Sequence, residues 1–354
     1  MKKAEPAKAN TASPPRTEPD DPQSRIMISY LKENVPVFRE LCELRQKGWE
    51  NSKGDRYFTK QRSIADKPSL SSREHFFRLM KDIGQEIHDA TGALRIKGAQ
   101  PGNILDMCAA PGGFLEITLQ LNPDARALAI SLPSTKGGHP FRMSIDRRIE
   151  TKYLDLTMLA ADMGVVEISK SHPDAANFLP KQFGPDQVFD LILCDGQVLR
   201  TQDRAAYREQ TRERRRLVIS QLVLGLEHLR PGGTMVILLH HLEGYDVVKL
   251  VYAFSRFSSI RLYKPTKGHT TRSSFYLLAS DVQNTNSQAT RAIKEWKDFW
   301  YTATFETEEM YVKALTDGIG AEAIIEAFGR ELIKLGTEVW SIQAKALKRA
   351  PFTK

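Results

Sequence analysis

Cysteine is scarce in this chain: Cys42, Cys108 and Cys194 are the only three among 354 residues. Thiols so far apart make neither a disulfide framework nor a metal-ligand pattern, which points to a reducing, intracellular setting, cytoplasmic or nuclear. Cys108 and Cys194 each end an apolar run and read as small buried core residues. Long hydrophobic runs are missing as well, and no stretch approaches the roughly 20 apolar residues that span a bilayer. The opening Met1-Lys2-Lys3-Ala4-Glu5-Pro6 lacks the apolar core of a secretory signal. No internal repeat is evident.

What is present is charge, at 27% of residues, beside 41% hydrophobic residues, ordinary proportions for a globular protein that buries a full core. A net charge of +8 favours polyanionic partners. Its distribution is more telling. Arg200, Arg204, Arg208, Arg212 and Arg216 recur at every fourth residue, with Arg214 and Arg215 beside them, and a helix would gather them into one basic ridge. Two readings stand side by side. The ridge is a solvated face softened by Asp203, Glu209 and Glu213, or it is an edge that contacts RNA phosphates beside an active site.

Along the chain, residues 1–24 are rich in Pro, Ala, Ser, Thr and charge and are expected to be a disordered tail. Residues 25–70 form an N-terminal helical segment, with a helical pattern around Tyr30–Lys47 and then a polar, glycine-containing stretch to Lys60. From Ser71-Ser72-Arg73-Glu74 a helix starts, with Phe76, Phe77, Leu79, Met80, Ile83 and Ile87 as its apolar stripe. Short apolar strands then alternate with helices: 103–109, 126–132, 150–156, 189–195, 233–239, 260–265 and 274–280. Near-continuous apolar strands predict an α/β fold with a mostly parallel sheet covered on both faces. The last two strands are joined by a short loop holding Lys264-Pro265 and Gly268, too short for a helical crossover, so they should be antiparallel. Residues 157–188 carry Pro173, Pro180 and Pro185 and read as a short helix plus a surface loop. The sheet domain spans 71–281, and 288–350 reads as a helical C-terminal extension whose Trp296, Phe299 and Trp300 are packing residues.

The most informative segment runs from Asn103-Ile104-Leu105-Asp106 through Met107-Cys108-Ala109-Ala110-Pro111-Gly112-Gly113 to Phe114-Leu115-Glu116. A buried strand turns through residues without bulk into a helix N-terminus, where a ligand can approach backbone N–H groups closely. In such sheets ligands bind beyond the carboxyl ends of the strands, which singles out Asp106 to Phe114, Ser131, Asp155, Asp195 and the residues around His240.

Three segments, Leu105 to Phe114, Phe189 to Gly196 and Leu229 to Val236, resemble the FtsJ/RrmJ-type ribose 2′-O-methyltransferase family in order and spacing, over roughly residues 70–280. The resemblance implies a Rossmann-like methyltransferase fold with a seven-stranded sheet, S-adenosyl-L-methionine as donor, and an RNA ribose or mRNA cap as acceptor. Carried onto this chain, it makes the corner (Asp106, Ala110, Pro111, Gly112, Gly113, Phe114) the methionine and adenosine pocket. Asp155 would bond the adenine amino group, and Asp195 would sit beside the sulfonium. Where that family ends its second strand in an acid for the donor's ribose, this chain has Ser131, which also weighs against NAD as an alternative cofactor.

The Lys-Asp-Lys-Glu tetrad that the family implies is altered at three of its four positions. Arg78 stands at the first lysine, with Lys81 one turn on; Leu238 replaces the central lysine and Ser274 the glutamate; Asp195 is kept. Arginine holds charge but is no base near neutral pH. His240, two residues beyond Leu238 and on the same strand face, is the candidate replacement base. Lys264, Lys267, His269 and Arg272 in the last hairpin are within range of the mouth, or are ordinary surface charge. The readings are therefore a methyltransferase acting on RNA, a methyltransferase with a non-RNA acceptor, or an inactive donor- or RNA-binding partner protein.

Overall fold

The computed structural model describes residues 21–66, 69–98, 101–198 and 210–354. Its strands are β1 (Asn103–Met107), β2 (Arg126–Ser131), β3 (Ile149–Tyr153), β4 (Phe189–Cys194), β5 (Leu229–His240), β6 (Ser259–Tyr263) and β7 (Ser274–Val282). They make one sheet in the order β3-β2-β1-β4-β5-β7-β6. The first five are parallel neighbours, while β7 lies antiparallel between β5 and β6. The mostly parallel sheet and the antiparallel last pair are as the sequence predicts.

Both faces are covered, which is why the central strands are apolar on alternate and intervening residues alike. One set (Ile104, Ala127, Ala129, Leu191, Leu193, Val236) meets α4 (Leu70–Thr91) and α5 (Gly113–Leu121). The other set (Leu105, Leu128, Ile130, Ile192, Ile237) meets α6 (Gln210–His228) and α7 (Tyr245–Ser255). The same core continues into the terminal helices. Met27 and Leu31 of α1 (Pro22–Asn34) and Phe38 and Leu41 of α2 (Pro36–Glu50) join Trp340 and Leu347 of α10 (Ala321–Arg349). Two further helices, α8 (Ser287–Phe305) and α9 (Glu308–Thr316), complete the C-terminal extension.

Two expectations are corrected, and a stretch without a predicted element is filled. The region read as a tail up to residue 24 already holds the start of α1, because Asp21 caps it by accepting from the N–H groups of Gln23 (3.1 Å) and Ser24 (3.0 Å), with Pro22 at the first helical position. Residues 1–20 lie outside the described residues. The polar stretch up to Lys60 carries α3 (Ser52–Asp66), started by the Asn51 side chain accepting from Lys53 N at 3.0 Å. Its Tyr57 and Phe58 pack on Phe352 with ring centroids 5.1 and 5.3 Å apart, a long-range contact that local patterning does not carry. The segment 157–188 holds no α-helix. A single turn at Leu156–Met158 leads into a loop pinned where Asp162 accepts from Gln182 N and Phe183 N. No helix among the described residues is long and apolar enough to cross a membrane.

Candidate active site

The carboxyl ends of the parallel strands open into a cavity of about 270 Å³. Its floor is the small-residue corner. Cys108 adopts φ of 77° and Gly112 of 102°, so the chain turns sharply out of β1 into α5. At Gly113 the constraint is proximity rather than dihedral: an added Cβ would lie 2.2 Å from the Phe77 carbonyl oxygen of α4. The connection from β2 to β3 has no α-helix and folds back over the corner, with Arg142 N donating to Pro111 O at 2.9 Å and Gly138 and His139 entering the lining. Ala110, Pro111, Gly112, Gly113, Phe114, Ser131, Asp155, Asp195 and His240 all line the cavity. Cys108 lines it too, instead of filling the core, while Cys194 is buried; burial pushes both thiols up, so they stay protonated.

Asp106 does not line the cavity, contrary to expectation. It is 1% exposed behind the corner, and its Oδ1 has no hydrogen-bond partner. Burial and the neighbouring Asp195 charge raise its pKa well above the carboxylate range. Asp195 opens onto the cavity but is otherwise surrounded by protein, and desolvation lifts its pKa to about 7. Its turn is fixed from below, where Gly196 N donates to Gln221 Oε1 at 3.0 Å.

At one end of the cavity β5 and β7 present Leu238, His240, Ser274 and Tyr276 on one face, because His240 is paired with Ser274 and Leu238 with Tyr276. Burial and the charges of His241, Arg214, Lys264 and Arg272 lower the His240 pKa to about 3. Its imidazole is therefore neutral at physiological pH and too weak to accept a hydroxyl proton efficiently, which corrects its assignment as the base. Lys264 is 2% exposed beneath the β6–β7 loop, and its Nζ donates to the carbonyls of His269 (3.2 Å), Arg272 (2.8 Å) and Ser274 (2.7 Å). It braces the loop and does not line the cavity; His269 and Arg272 do, and Lys267 does not. The loop is also held from behind, where Arg45 of α2 donates to Glu243 (2.6 Å) and to Gln343 of α10 (2.8 Å), and Gln343 donates to Thr271 O. Arg78 lies outside the lining, exposed and paired with Glu74 of its own helix at 3.4 Å, and Lys81 pairs with Glu116. Neither replaces the first tetrad lysine.

At the other end, the Asp155 Oδ1 accepts from Thr157 N at 3.0 Å, capping the short turn after β3. The Thr157 hydroxyl lies 2.8 Å from Asp155 Oδ1 and 3.0 Å from Glu213 Oε1, so its one proton serves one carboxylate at a time. Glu213, Thr157 and Tyr276 line the cavity, although the sequence reads Glu213 as part of a solvated face and does not single out the other two. Only the four-residue spacing of Glu213 and Leu217, both in the lining, hinted that this face of α6 turns inward.

The arginine ridge is corrected at two of its members, Arg212 and Arg216. Arg200, Arg204 and Arg208 lie outside the described residues. Arg212 donates to the carbonyls of Thr302, Ala303 and Glu306 at the end of α8, satisfying the last turn of that helix, and pairs with Glu308 at 3.0 Å. Arg216 is fully buried. These two serve the protein interior, not a phosphate-facing edge.

The FtsJ-like methyltransferase family model matches residues 85–281, more than half of the chain. The chain belongs to the FtsJ-like methyltransferase family. This FtsJ-like protein is an S-adenosylmethionine-dependent methyltransferase. Similar solved structures include a ribosomal RNA methyltransferase from Plasmodium falciparum, 16% identical over 58% of this chain and 97% of that chain at a TM-score of 0.37. Human methyltransferase-like protein 13 in complex with SAH is 14% identical over 67% of this chain and 94% of that one, at a TM-score of 0.34. An rRNA methylase from Streptococcus thermophilus is 13% identical over 56% and 96%, also at 0.34. No curated protein matches the FtsJ-like chain in sequence. Its cavity fits the donor chemically: a corner where a Cβ would find no room, a carboxylate at Asp195 for a cation, and acceptor oxygens on Asp155 and Glu213.

Proposed function

We propose that this methyltransferase acts on a ribose hydroxyl of RNA, with the corner, Ser131 and Asp155 holding the donor and Asp195 taking the acceptor's proton. The observation that carries the RNA reading is the charge of the acceptor end. On β5, β7 and the loop before β7, the ionisable side chains in the lining besides Tyr276 are His240, His269 and Arg272, with no carboxylate among them. Burial, with the Arg272 and Lys264 charges, also lowers the His269 pKa to about 4. With both histidines neutral, the Arg272 guanidinium and the lack of a carboxylate at this end favour a phosphate-bearing acceptor.

Bound donor supplies a methyl group on a sulfonium cation. Asp195 is ionised against that positive charge. When the charge is spent, Asp195 regains the high proton affinity that desolvation gives it and takes up the hydroxyl proton on a carboxylate oxygen. In balance, the acceptor O–H bond would break and an O–CH₃ bond form at the expense of the donor's S–CH₃ bond, whose electron pair would stay on the departing neutral thioether, and the proton would rest on Asp195 until water removes it. Leu238 contributes no proton chemistry but keeps the reacting region dry. Positioning supplies the remainder of the acceleration.

Titration with S-adenosylmethionine is expected to show saturable binding, weakened at least about tenfold by Asp155→Ala through loss of a charge-assisted hydrogen bond. Absence of binding by the wild-type chain would sink the donor-site assignment. Arg272→Gln should weaken RNA binding and reduce the salt slope by about 0.7–0.9. An unchanged slope would move the acceptor away from RNA, and intact binding of donor and RNA without transfer would leave a partner-protein role.

A further inference from the structure

The helical extension after β7 reaches the cavity wall through one buried guanidinium. Arg216 of α6 is 0% exposed, and all three of its nitrogens are used. Its Nη1 donates to Glu213 Oε2 at 2.8 Å, its Nη2 to the backbone carbonyl of Thr157 at 2.7 Å, and its Nε to Thr304 Oγ1 at 2.9 Å. Thr304 belongs to α8 and is itself oriented, since its hydroxyl donates to Trp300 O at 2.7 Å. The Trp300 ring lies 5.3 Å from the guanidinium carbon. On the cavity side, Glu213 and Thr157 both line the wall and meet Asp155 through the Thr157 hydroxyl.

This arrangement is more than a buried ion pair. A planar guanidinium with three differently directed acceptors fixes their relative positions, which a lysine ammonium in the same place does not do. The acceptors come from three elements: the turn after β3, α6, and α8 of the extension. Thr157 and Glu213 are therefore registered to each other by a group anchored outside the sheet domain. Hydrogen-bond recognition discriminates strongly only when such groups are held within a few tenths of an ångström.

We propose that Arg216 and Thr304 are positioning residues for the adenosine end of the donor site, so that α8 of the C-terminal extension holds Asp155, Thr157 and Glu213 in register to read the amino group of adenine. The inference rests on the reading that this end of the cavity receives adenosine. It gives the extension a part in donor selectivity that a merely packed appendage would not have.

The test is calorimetric titration of the full chain with S-adenosylhomocysteine and with S-inosylhomocysteine, in which a carbonyl replaces the amino group. The wild-type chain should prefer the adenosine ligand. Thr304→Val, which keeps side-chain volume and is remote from the ligand, should narrow that preference by about fivefold, with affinity for the inosine ligand nearly unchanged. Arg216→Lys should narrow it further. A purely structural role lowers the melting temperature and weakens both ligands equally, and an unchanged ratio in Thr304→Val overturns the inference even if Arg216→Lys does not fold. If the wild-type chain itself shows no preference, the adenosine-end assignment fails first and takes the inference with it; the two failures are distinguished because only one involves a variant.

Discussion

Replacing Asp195 by Asn is expected to lower the rate of methyl transfer by about 10²- to 10⁴-fold while leaving the fold in place. The substitution keeps the shape of the side chain and removes both its charge and its ability to take a proton. Among the described residues, no other lining group at the acceptor end is a carboxylate; Asp155 and Glu213 lie at the opposite end. His240 is held near a pKa of about 3, Lys264 is committed to three carbonyls away from the cavity, and Leu238 is inert. The pH dependence gives a second signature. In the ligand-free protein the Asp195 pKa is about 7, and a bound cation favours the ionised form, so donor binding expels a proton. Affinity for S-adenosylmethionine should therefore rise with pH up to about 7 and level off above it, and in Asp195→Asn it should be flat. For stability the sign is opposite. A carboxyl with a raised folded pKa contributes most below its unfolded value of about 3.9, and that contribution fades as pH rises through the folded value. Turnover in Asp195→Asn within threefold of wild type, by single-turnover measurement, would remove it as proton acceptor.

Trp340→Ala should destabilise the whole chain by about 3–5 kcal/mol, more than any exposed substitution. The indole is 1% exposed in α10, its ring lies 5.2 Å from Phe38 of α2, and it shares one continuous core with Leu239 of β5 and Leu242. The helix cannot close the gap, because Gly336 already lets the Trp340 ring approach the backbone: a Cβ there would meet the ring at 2.6 Å. Urea titration should show a lower midpoint with an unchanged slope if sheet and terminal helices unfold together. Two separate transitions, with only the first moved, would show that the helices form a unit of their own.

The sheet was legible because parallel strands buried on both faces leave near-continuous apolar runs, and the corner because close approach demands glycine at Gly113. This part of the cavity wall was legible for the same reason: strand-end residues such as Ser131 and Asp155 are placed by the strands themselves. What sequence could not carry was the source of charges that come from elsewhere. Glu213 reads as one acid on a basic helix, and only tertiary packing turns its face inward. Arg212 and Arg216 look identical to solvent-facing arginines until the partners 88 and more residues away are in place. The proton affinity of His240 likewise depends on Arg214, Lys264 and Arg272, which are assembled by a loop, a strand end and a helix, and no local pattern reports that.

The core that spans both termini has a consequence for how the chain is made. Phe352, 2% exposed, packs with Tyr57 and Phe58, and Leu347 belongs with Met27 and Leu31. Synthesis from the N-terminus thus delivers α1 and α2 long before the surface that covers them exists. Until α10 leaves the ribosome, Phe38 and Leu41 have nothing there to bury against, and the nascent chain presents an apolar groove that a chaperone can hold or a neighbouring chain can stick to. Emergence of α10, and not formation of the sheet, is the event that closes this core.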